Sequence, residues 1–147
     1  MREILFRGMR LDNCNWIIGH LIKYEDGRAR ICESHTDIFC YEKDKSIIQT
    51  VAHMVAPSTI GQFTGLTDKN GKKIFEGDIV RVLGNQQVDD WKNVDYVALI
   101  AFLDGGFCAI DGTVEEHGFR RYALARMDFS LEIIGNQFDN PELLENP

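Results

Sequence analysis

Gly61–Leu83 reads GQFTGLTDKNGKKIFEGDIVRVL, a run in which glycine turns separate short apolar segments. Asn70-Gly71 predicts a type I′ hairpin turn, because that turn needs positive φ at both central positions. Glu76-Gly77-Asp78 predicts a second tight turn, in which the glycine permits the backbone conformation and Asp78 can accept hydrogen bonds from the amides that follow it. Ile79–Leu83 then alternates with the two-residue period of a strand. A Gly-Asp pair before alternating β-branched residues is typical of the first strand of an SH3-like barrel.

The same pattern of strand and turn continues on both sides of this run. Upstream, Asp26-Gly27 predicts another type I′ turn, which joins Trp16–Tyr24 to Ala29–Glu33 as a hairpin. Downstream, strand-like segments are separated by further glycine turns, one of them at Asp104-Gly105-Gly106. These segments are Val94–Phe102, Phe107–Ile110, Tyr122–Leu124 and Phe129–Ile134. Closely spaced glycine turns favour β meanders and barrels over an α/β fold.

The sequence therefore predicts an all-β, mainly antiparallel protein with two parts. Residues 1–60 form an amino-terminal β-hairpin region, and residues 61–147 form a small SH3-like β-barrel. The natural boundary lies near Pro57–Gly61. Asn140-Pro141 predicts the N-cap and first position of a short carboxy-terminal helix.

The strand predicted at Trp16–Tyr24 has one strongly apolar face. Trp16, Ile18, His20, Ile22 and Tyr24 share that face by the two-residue period. This apolar face has two interpretations. The face of Trp16, Ile18, Ile22 and Tyr24 is a candidate interface with another copy of the chain, because pairing between copies covers exposed β surface. Alternatively, the same face packs internally against residues 47–55.

Composition and charge narrow the class of protein. Of the 147 residues, 44% are hydrophobic and 27% are charged, as in an ordinary globular chain. The net charge of -7 lies entirely in residues 61–147, since residues 1–60 carry equal numbers of basic and acidic side chains. This balance disfavours non-specific binding of nucleic acid. There is no apolar run long enough to span a membrane, and no signal-peptide core at the amino terminus, so the sequence predicts a cytoplasmic protein with no membrane contact.

The cysteines give no sign of a metal or redox site. Cys14, Cys32, Cys40 and Cys108 contain no C-x-x-C pair among them. Cys32 and Cys108 lie in apolar strand-like runs, where a free thiol behaves as a small hydrophobic side chain. We expect buried or inert thiols in a reducing compartment, and no bound metal.

Candidate catalytic residues have simpler structural interpretations. Asp68, Glu76 and Asp78 could gather around a divalent ion, but each lies beside a glycine turn, where turn capping explains it. His20, on the apolar face, is predicted to be half-buried and hydrogen-bonded. His35 and His117 each have acidic residues nearby without a convincing catalytic pairing. No serine lies in a nucleophile elbow and no phosphate-binding glycine loop occurs. We therefore expect no enzyme activity, no catalytic residues and no cofactor.

One small patch is a weak candidate for ligand binding. Trp91, Lys92, Arg120, Arg121 and Tyr122 could combine aromatic rings with cations, as single-stranded nucleic-acid sites do. The acidic background opposes this interpretation. The alternative is that the aromatic rings fill or rim the barrel while the arginines are solvated.

Four segments resemble the YopX family of bacteriophage and prophage proteins. The central run Phe63–Val80 is the most specific of them, and Arg2–Arg7 resembles the start of the family. Leu131–Asn136 and Asn140–Leu144 resemble its end, so the resemblance covers essentially the whole chain. It implies a phage-derived cytoplasmic protein with SH3-like character that forms homo-oligomers. It implies no reaction, because the family has no established activity.

The function predicted from the sequence is that of a phage or prophage accessory protein of unknown biochemical activity. The first hypothesis is a non-enzymatic, homo-oligomeric module that binds a host or phage protein. The alternative is a nucleic-acid-associated small-barrel module. A small hydrolase or nuclease using carboxylates and His117 is a third hypothesis, and the weakest of the three.

Overall fold

The computed structural model describes residues 3–33, 52–83, 95–111, 120–124 and 130–145. The chain divides into two compact units, Met1–Phe63 and Thr64–Pro147. The all-β prediction is confirmed, because the described residues are mostly antiparallel strands. The strands are β1 (Phe6–Met9), β2 (Trp16–Lys23), β3 (Ala29–Cys32), β4 (Ala52–Val55), β5 (Gly61–Thr67), β6 (Lys73–Phe75), β7 (Asp78–Leu83), β8 (Asp95–Leu103), β9 (Gly106–Asp111), β10 (Arg120–Ala123) and β11 (Ser130–Asn136). The assignment of residues 1–60 and 61–147 to separate domains stays a prediction.

The strands of the first unit follow the order β4-β3-β2-β1-β5, and β1 also returns to β4. Arg10 forms a bridge with Val55, the Leu11 N–H donates to the Met54 carbonyl at 3.0 Å, and the Ala56 N–H donates to the Met9 carbonyl at 2.8 Å. These bonds close β1 to β4 into a ring of strands. The sequence predicted only a hairpin region here, because closure depends on partners far apart in the chain. The enclosed core contains Ile17, Ala29, Ile31 and Val55, with Phe6, Leu21 and Ile60 packed against it.

Thr59, in the short 3₁₀ helix Pro57–Thr59, forms hydrogen bonds that complete the closure of β1 on β4. Its side chain is buried, with 7% of the residue exposed. The hydroxyl donates to the Ala56 carbonyl at 2.6 Å and accepts from the Met9 N–H at 2.9 Å. One threonine therefore satisfies a β1 amide at the point where β1 changes its partner from β5 to β4.

The second unit contains a five-stranded antiparallel sheet in the order β10-β9-β8-β7-β11, and β6 lies beside the end of β5. Its core is formed by buried side chains from these strands and by Leu124, which follows β10, with Tyr96, Phe107 and Ile133 packed against it. The buried members are Ile74, Val80, Val82, Ala98, Ile100, Ala109, Leu124 and Leu131. The register of β11 against β7 shifts between Ile133 and Gly135. This bulge interrupts the regular pairing of the two strands, and Ile134 within it is 37% exposed.

The turns lie where the glycines predicted them, but two of the predicted turn types are wrong. At both Asp26-Gly27 and Asn70-Gly71 only the glycine has positive φ, +92° and +82°. The Gly27 N–H donates to the Tyr24 carbonyl and the Tyr24 N–H donates to the Arg28 carbonyl, in the pattern of a three-residue loop with a glycine bulge. The type I′ geometry occurs instead at Asp104-Gly105, where φ is +50° and +81° and Leu103 pairs directly with Gly106.

The carboxy-terminal helix is shorter and tighter than the sequence indicated. Pro141–Leu144 is a 3₁₀ helix with proline at its start, and Asn140 is at the N-cap without a side-chain capping bond. The Asn140 carboxamide oxygen instead accepts from the Asn136 N–H at 3.3 Å. Its side chain is therefore used to hold the preceding turn rather than the helix.

Cys14 provides a test of local backbone strain. It is exposed and has φ +59°, a left-handed conformation that costs a β-carbon-bearing residue energy. We expect Cys14→Asn to raise the free energy of unfolding by about 0.5 kcal/mol, and Cys14→Val to lower it by about 1 kcal/mol. Urea unfolding of the three proteins measures the difference. Equal free energies of unfolding for the asparagine and valine variants would contradict backbone strain at Cys14.

Candidate interaction surface

The two faces of β2 have opposite environments. Ile17 is 2% exposed and packs with Val55 in the core of the first unit, whereas Ile18 is 44% exposed. Val55 packs with the face of Ile17 and Leu21. Residues 47–51 lie outside the described residues, so packing of the Trp16 face against residues 47–55 stays a prediction. The Trp16 and Ile18 face points away from that core.

The register of β1 against β2 adds a cation to this outward face. Arg7 lies opposite Ile18, and Met9 lies opposite Trp16. The Arg7 guanidinium is 5.0 Å from the centroid of the Trp16 ring. A cation–π contact of this kind contributes about 0.5–1 kcal/mol at an exposed site and holds both side chains in place. We refer to this surface as the β1–β2 face, formed by Arg7, Met9, Trp16, Ile18, His20 and Ile22.

The outward positions continue onto the next two strands. Arg30 lies opposite both Ile22 and Met54, and its guanidinium donates to the Ala52 carbonyl at 2.8 Å. Cys32 and Ala52, further along, are buried at 0% and 1% exposure, so the accessible part is the β1–β2 face itself. Among the described residues of β1 to β4, none of the outward positions holds a carboxylate.

Tyr24, which the sequence grouped with this face, lies just beyond the end of β2. The Arg28 guanidinium is 5.7 Å from its ring centroid and also forms an ion pair with Asp26 at 2.6 Å. His20 is half-buried, as predicted. The composition of the β1–β2 face is that of protein interfaces, which are enriched in Trp, Arg and Met and depleted in Asp and Glu.

The sequence-predicted binding patch is covered only in part. Trp91 and Lys92 lie outside the described residues. Arg120, Arg121 and Tyr122 belong to β10, the last strand in the sheet order, where they pair with Asp111, Ile110 and Ala109. The grouping of these five residues stays a prediction.

Asp68 is buried and serves as the anchor of a turn. Its residue is 6% exposed; Oδ1 accepts from the Asn70 and Lys72 N–H groups, both at 2.9 Å, and Oδ2 accepts from the Ile133 N–H at 3.1 Å. Desolvation acts to raise the pKa of the Asp68 carboxyl, but the hydrogen bonds from Ile133, Lys72 and Asn70, with the Lys72 charge, lower it below its ordinary value. The carboxylate holds the hairpin turn and ties it to β11.

Asp78 also binds a backbone amide, but on the other side of its turn. It is 1% exposed, and its Oδ2 accepts from the Phe75 N–H at 2.8 Å, upstream of the amides predicted as partners. Turn anchoring therefore explains Asp68 and Asp78. Across the described ranges, no group of three or more His, Cys, Asp or Glu side chains is arranged to hold a metal ion.

Of the other sequence candidates, Cys32 and Cys108 are buried free thiols, as expected. Cys108 Sγ donates weakly to the Ala101 carbonyl at 3.6 Å. His35, Cys40 and His117 lie outside the described residues.

Sequence reasoning missed one exposed aromatic side chain, Phe102. It is 49% exposed near the end of β8 and contacts Phe107 of β9 edge-to-face, with ring centroids 5.0 Å apart. The two-residue period of β8 places Phe102 on the same face as Ile100, which belongs to the core, so alternation alone predicts a buried side chain. The signal available in the sequence was its position, two residues before the Asp104-Gly105 turn.

These observations define a small all-β protein of two units, with an exposed strand face that combines apolar and cationic side chains. The chain belongs to the YopX protein family, whose model matches residues 5–145. The resemblance recognised in its residues is thereby confirmed.

The chain is also similar to protein EF1440 from Enterococcus faecalis. That crystal structure matches with a TM-score of 0.46 and 22% sequence identity, over 98% of this chain and 99% of the other. No curated protein matches the chain. In the part of the chain that the structure describes, no helix has the length and apolar character needed to cross a bilayer.

Proposed function

We propose that this chain is a non-enzymatic, cytoplasmic accessory protein of a bacteriophage or prophage, built on small β-barrels, that binds proteins and assembles with copies of itself. The observation that carries the proposal is the composition of the β1–β2 face. Ile18 is 44% exposed there, beside an arginine stacked on Trp16, and no carboxylate occupies the outward positions of the described strands β1 to β4.

The energetic argument concerns Ile18 and Trp16. Burying a fully exposed isoleucine in an interface is worth about 1.5–3 kcal/mol, and tryptophan and arginine are frequent hot-spot residues. The cation–π contact orders the Arg7 and Trp16 side chains before a partner arrives, which reduces the entropy lost on binding. Two acidic side chains of the central motif, Asp68 and Asp78, accept backbone hydrogen bonds at turns.

The direct test is Ile18→Asp, which places a carboxylate at the centre of the β1–β2 face. We expect the association constant of the chain with itself to fall at least about 10-fold, because the charge would be desolvated in the interface. Light scattering after size-exclusion chromatography, over a dilution series, measures this. Leu11→Asp is the matched control, since Leu11 is 59% exposed in the turn after β1 and is not one of the residues that form the face, and it should assemble like the wild type.

Two results would contradict the proposal. One is a wild-type protein that stays monomeric at high concentration. The other is an Ile18→Asp variant that assembles normally. Titration with single- and double-stranded oligonucleotides tests the nucleic-acid alternative, because affinity that falls steeply with salt would favour it over protein binding.

A further inference from the structure

We infer that the self-association is head-to-tail: the β1–β2 face of one copy binds the tip of the β8–β9 hairpin of a second copy. This inference rests on the proposed function and adds which surface receives the β1–β2 face. It follows from the distribution of charge, from the exposure of Phe102 and from the geometry of the hairpin turn.

Charge favours unlike surfaces over like ones. The first unit carries equal numbers of basic and acidic side chains, and the second unit carries the whole net charge of -7. In a two-fold symmetric contact the β1–β2 face would meet itself, so Arg7 would face strands β1 to β4, whose described residues place no carboxylate at the outward positions. Against the acidic unit of another copy, the same arginine has opposite charge available.

The hairpin tip supplies both an apolar anchor and a carboxylate. Phe102 has 49% of its surface exposed, and its ring packs edge-to-face against Phe107, with the ring centroids 5.0 Å apart. Asp104 is exposed two residues later. An aromatic anchor next to an acid complements Ile18 and Trp16 next to Arg7.

The turn geometry pre-organises the hairpin tip for binding. Asp104 and Gly105 form a type I′ turn, and the strands pair directly on both sides of it. A short, hydrogen-bonded hairpin loses little conformational entropy when it binds. Leu66 and Ile134, at 41% and 37%, are also exposed in the second unit, but neither adds an aromatic ring beside a tight turn.

Mixing two blocked variants distinguishes head-to-tail from two-fold symmetric assembly. Ile18→Asp removes the β1–β2 face and leaves the tip intact; Phe102→Asp removes the tip and leaves the face intact. In head-to-tail assembly each variant alone is monomeric. A 1:1 mixture forms a heterodimer that grows no further, because its two remaining surfaces are both blocked. Light scattering gives the mass, and differential labelling gives the composition.

Leu66→Asp is the matched control for Phe102→Asp and should assemble like the wild type. Thermal unfolding of every variant confirms that loss of assembly is not loss of fold. A charge exchange supplies a second measurement. Arg7→Glu and Asp104→Lys should each weaken assembly about 10-fold, and the double variant should recover most of that loss.

The outcomes separate this inference from the proposed function. If Ile18→Asp is monomeric while Phe102→Asp assembles fully, the contact is two-fold symmetric; the head-to-tail inference is then wrong and the proposed function stands. If both variants are monomeric but their mixture forms no heterodimer, the pairing of these two surfaces is also overturned. If the wild type itself never assembles, the proposed self-association fails as well.

Discussion

Replacing Gly19 with alanine is expected to unfold the first unit or to lower its stability by more than about 3 kcal/mol, beyond the usual cost of overpacking. A β-carbon at position 19 would overlap the Cys32 carbonyl oxygen and would lie 2.6 Å from the Cys32 carbonyl carbon and 2.9 Å from the Glu33 Cα. These are backbone atoms of the neighbouring strand, so no side-chain rotation relieves the overlap. Unfolding in urea, followed by tryptophan fluorescence of Trp16, measures the loss.

Gly106→Ala is the matched control for this substitution. Nothing lies within 4 Å of a β-carbon built at Gly106, and its φ is not in the left-handed region. The control should change the free energy of unfolding by less than about 0.5 kcal/mol. Gly8→Ala should be intermediate, at about 1–3 kcal/mol, because its new methyl group would meet side-chain carbons of Val55 and Ile31 at 3.0–3.1 Å. Equal costs at Gly19 and Gly106 would show that the strands do not approach so closely.

Asp68→Asn is expected to lower the free energy of unfolding by about 3 kcal/mol. Each hydrogen bond to a charged acceptor contributes about 1.5–3 kcal/mol, and an amide replaces these bonds only in part. The Asp68 carboxylate accepts three backbone N–H bonds, one of them from Ile133, 65 residues away. An asparagine carboxamide offers one acceptor oxygen and leaves some of these donors unsatisfied. Asp26→Asn is the control, since Asp26 also accepts a backbone N–H in a hairpin loop but is exposed, and its loss should be much smaller.

The same variant predicts a change in the pH dependence of stability. The pKa of Asp68 is lowered in the folded protein from its ordinary value of 3.8. Its contribution is therefore fully present above that value and is lost as the pH falls through the lower, folded-state pKa. We expect the wild type to lose stability below about pH 4 with a steeper slope than Asp68→Asn. Urea unfolding between pH 5 and pH 2.5 tests this, and parallel slopes for the two proteins would contradict it.

The strands were predictable from the sequence because their signals are local. Alternating apolar residues and glycine turns lie within a few positions of each other, and the hairpin at residues 16–32 was found in this way. Turn type was less predictable. Asn-Gly and Asp-Gly permit positive φ but do not require it at both positions, and the cross-strand register decides between loops of two and three residues.

The features that the sequence did not predict depend on contacts between residues far apart in the chain. Which face of β2 is buried follows from the packing of Ile17 against Val55, and both faces carry isoleucine. The carboxylate of Asp68 was correctly interpreted as a turn anchor, but its bond to Ile133 has no signal in the neighbouring sequence. The exposure of Phe102 likewise reflects where the sheet ends, which the two-residue period does not encode.

The closure of β1 on β4 has a consequence for how the protein is made. The Met9 N–H donates to the hydroxyl of Thr59, which lies 50 residues further along the chain, so the ring of strands is incomplete until Thr59 has been synthesised. During synthesis, the β1–β2 hairpin can form as soon as it leaves the ribosome, whereas its last hydrogen-bonding edge stays open until the proline-led turn near residue 57 has emerged. The large sequence separation of these contacts raises the contact order of this unit, and folds with a high contact order form more slowly.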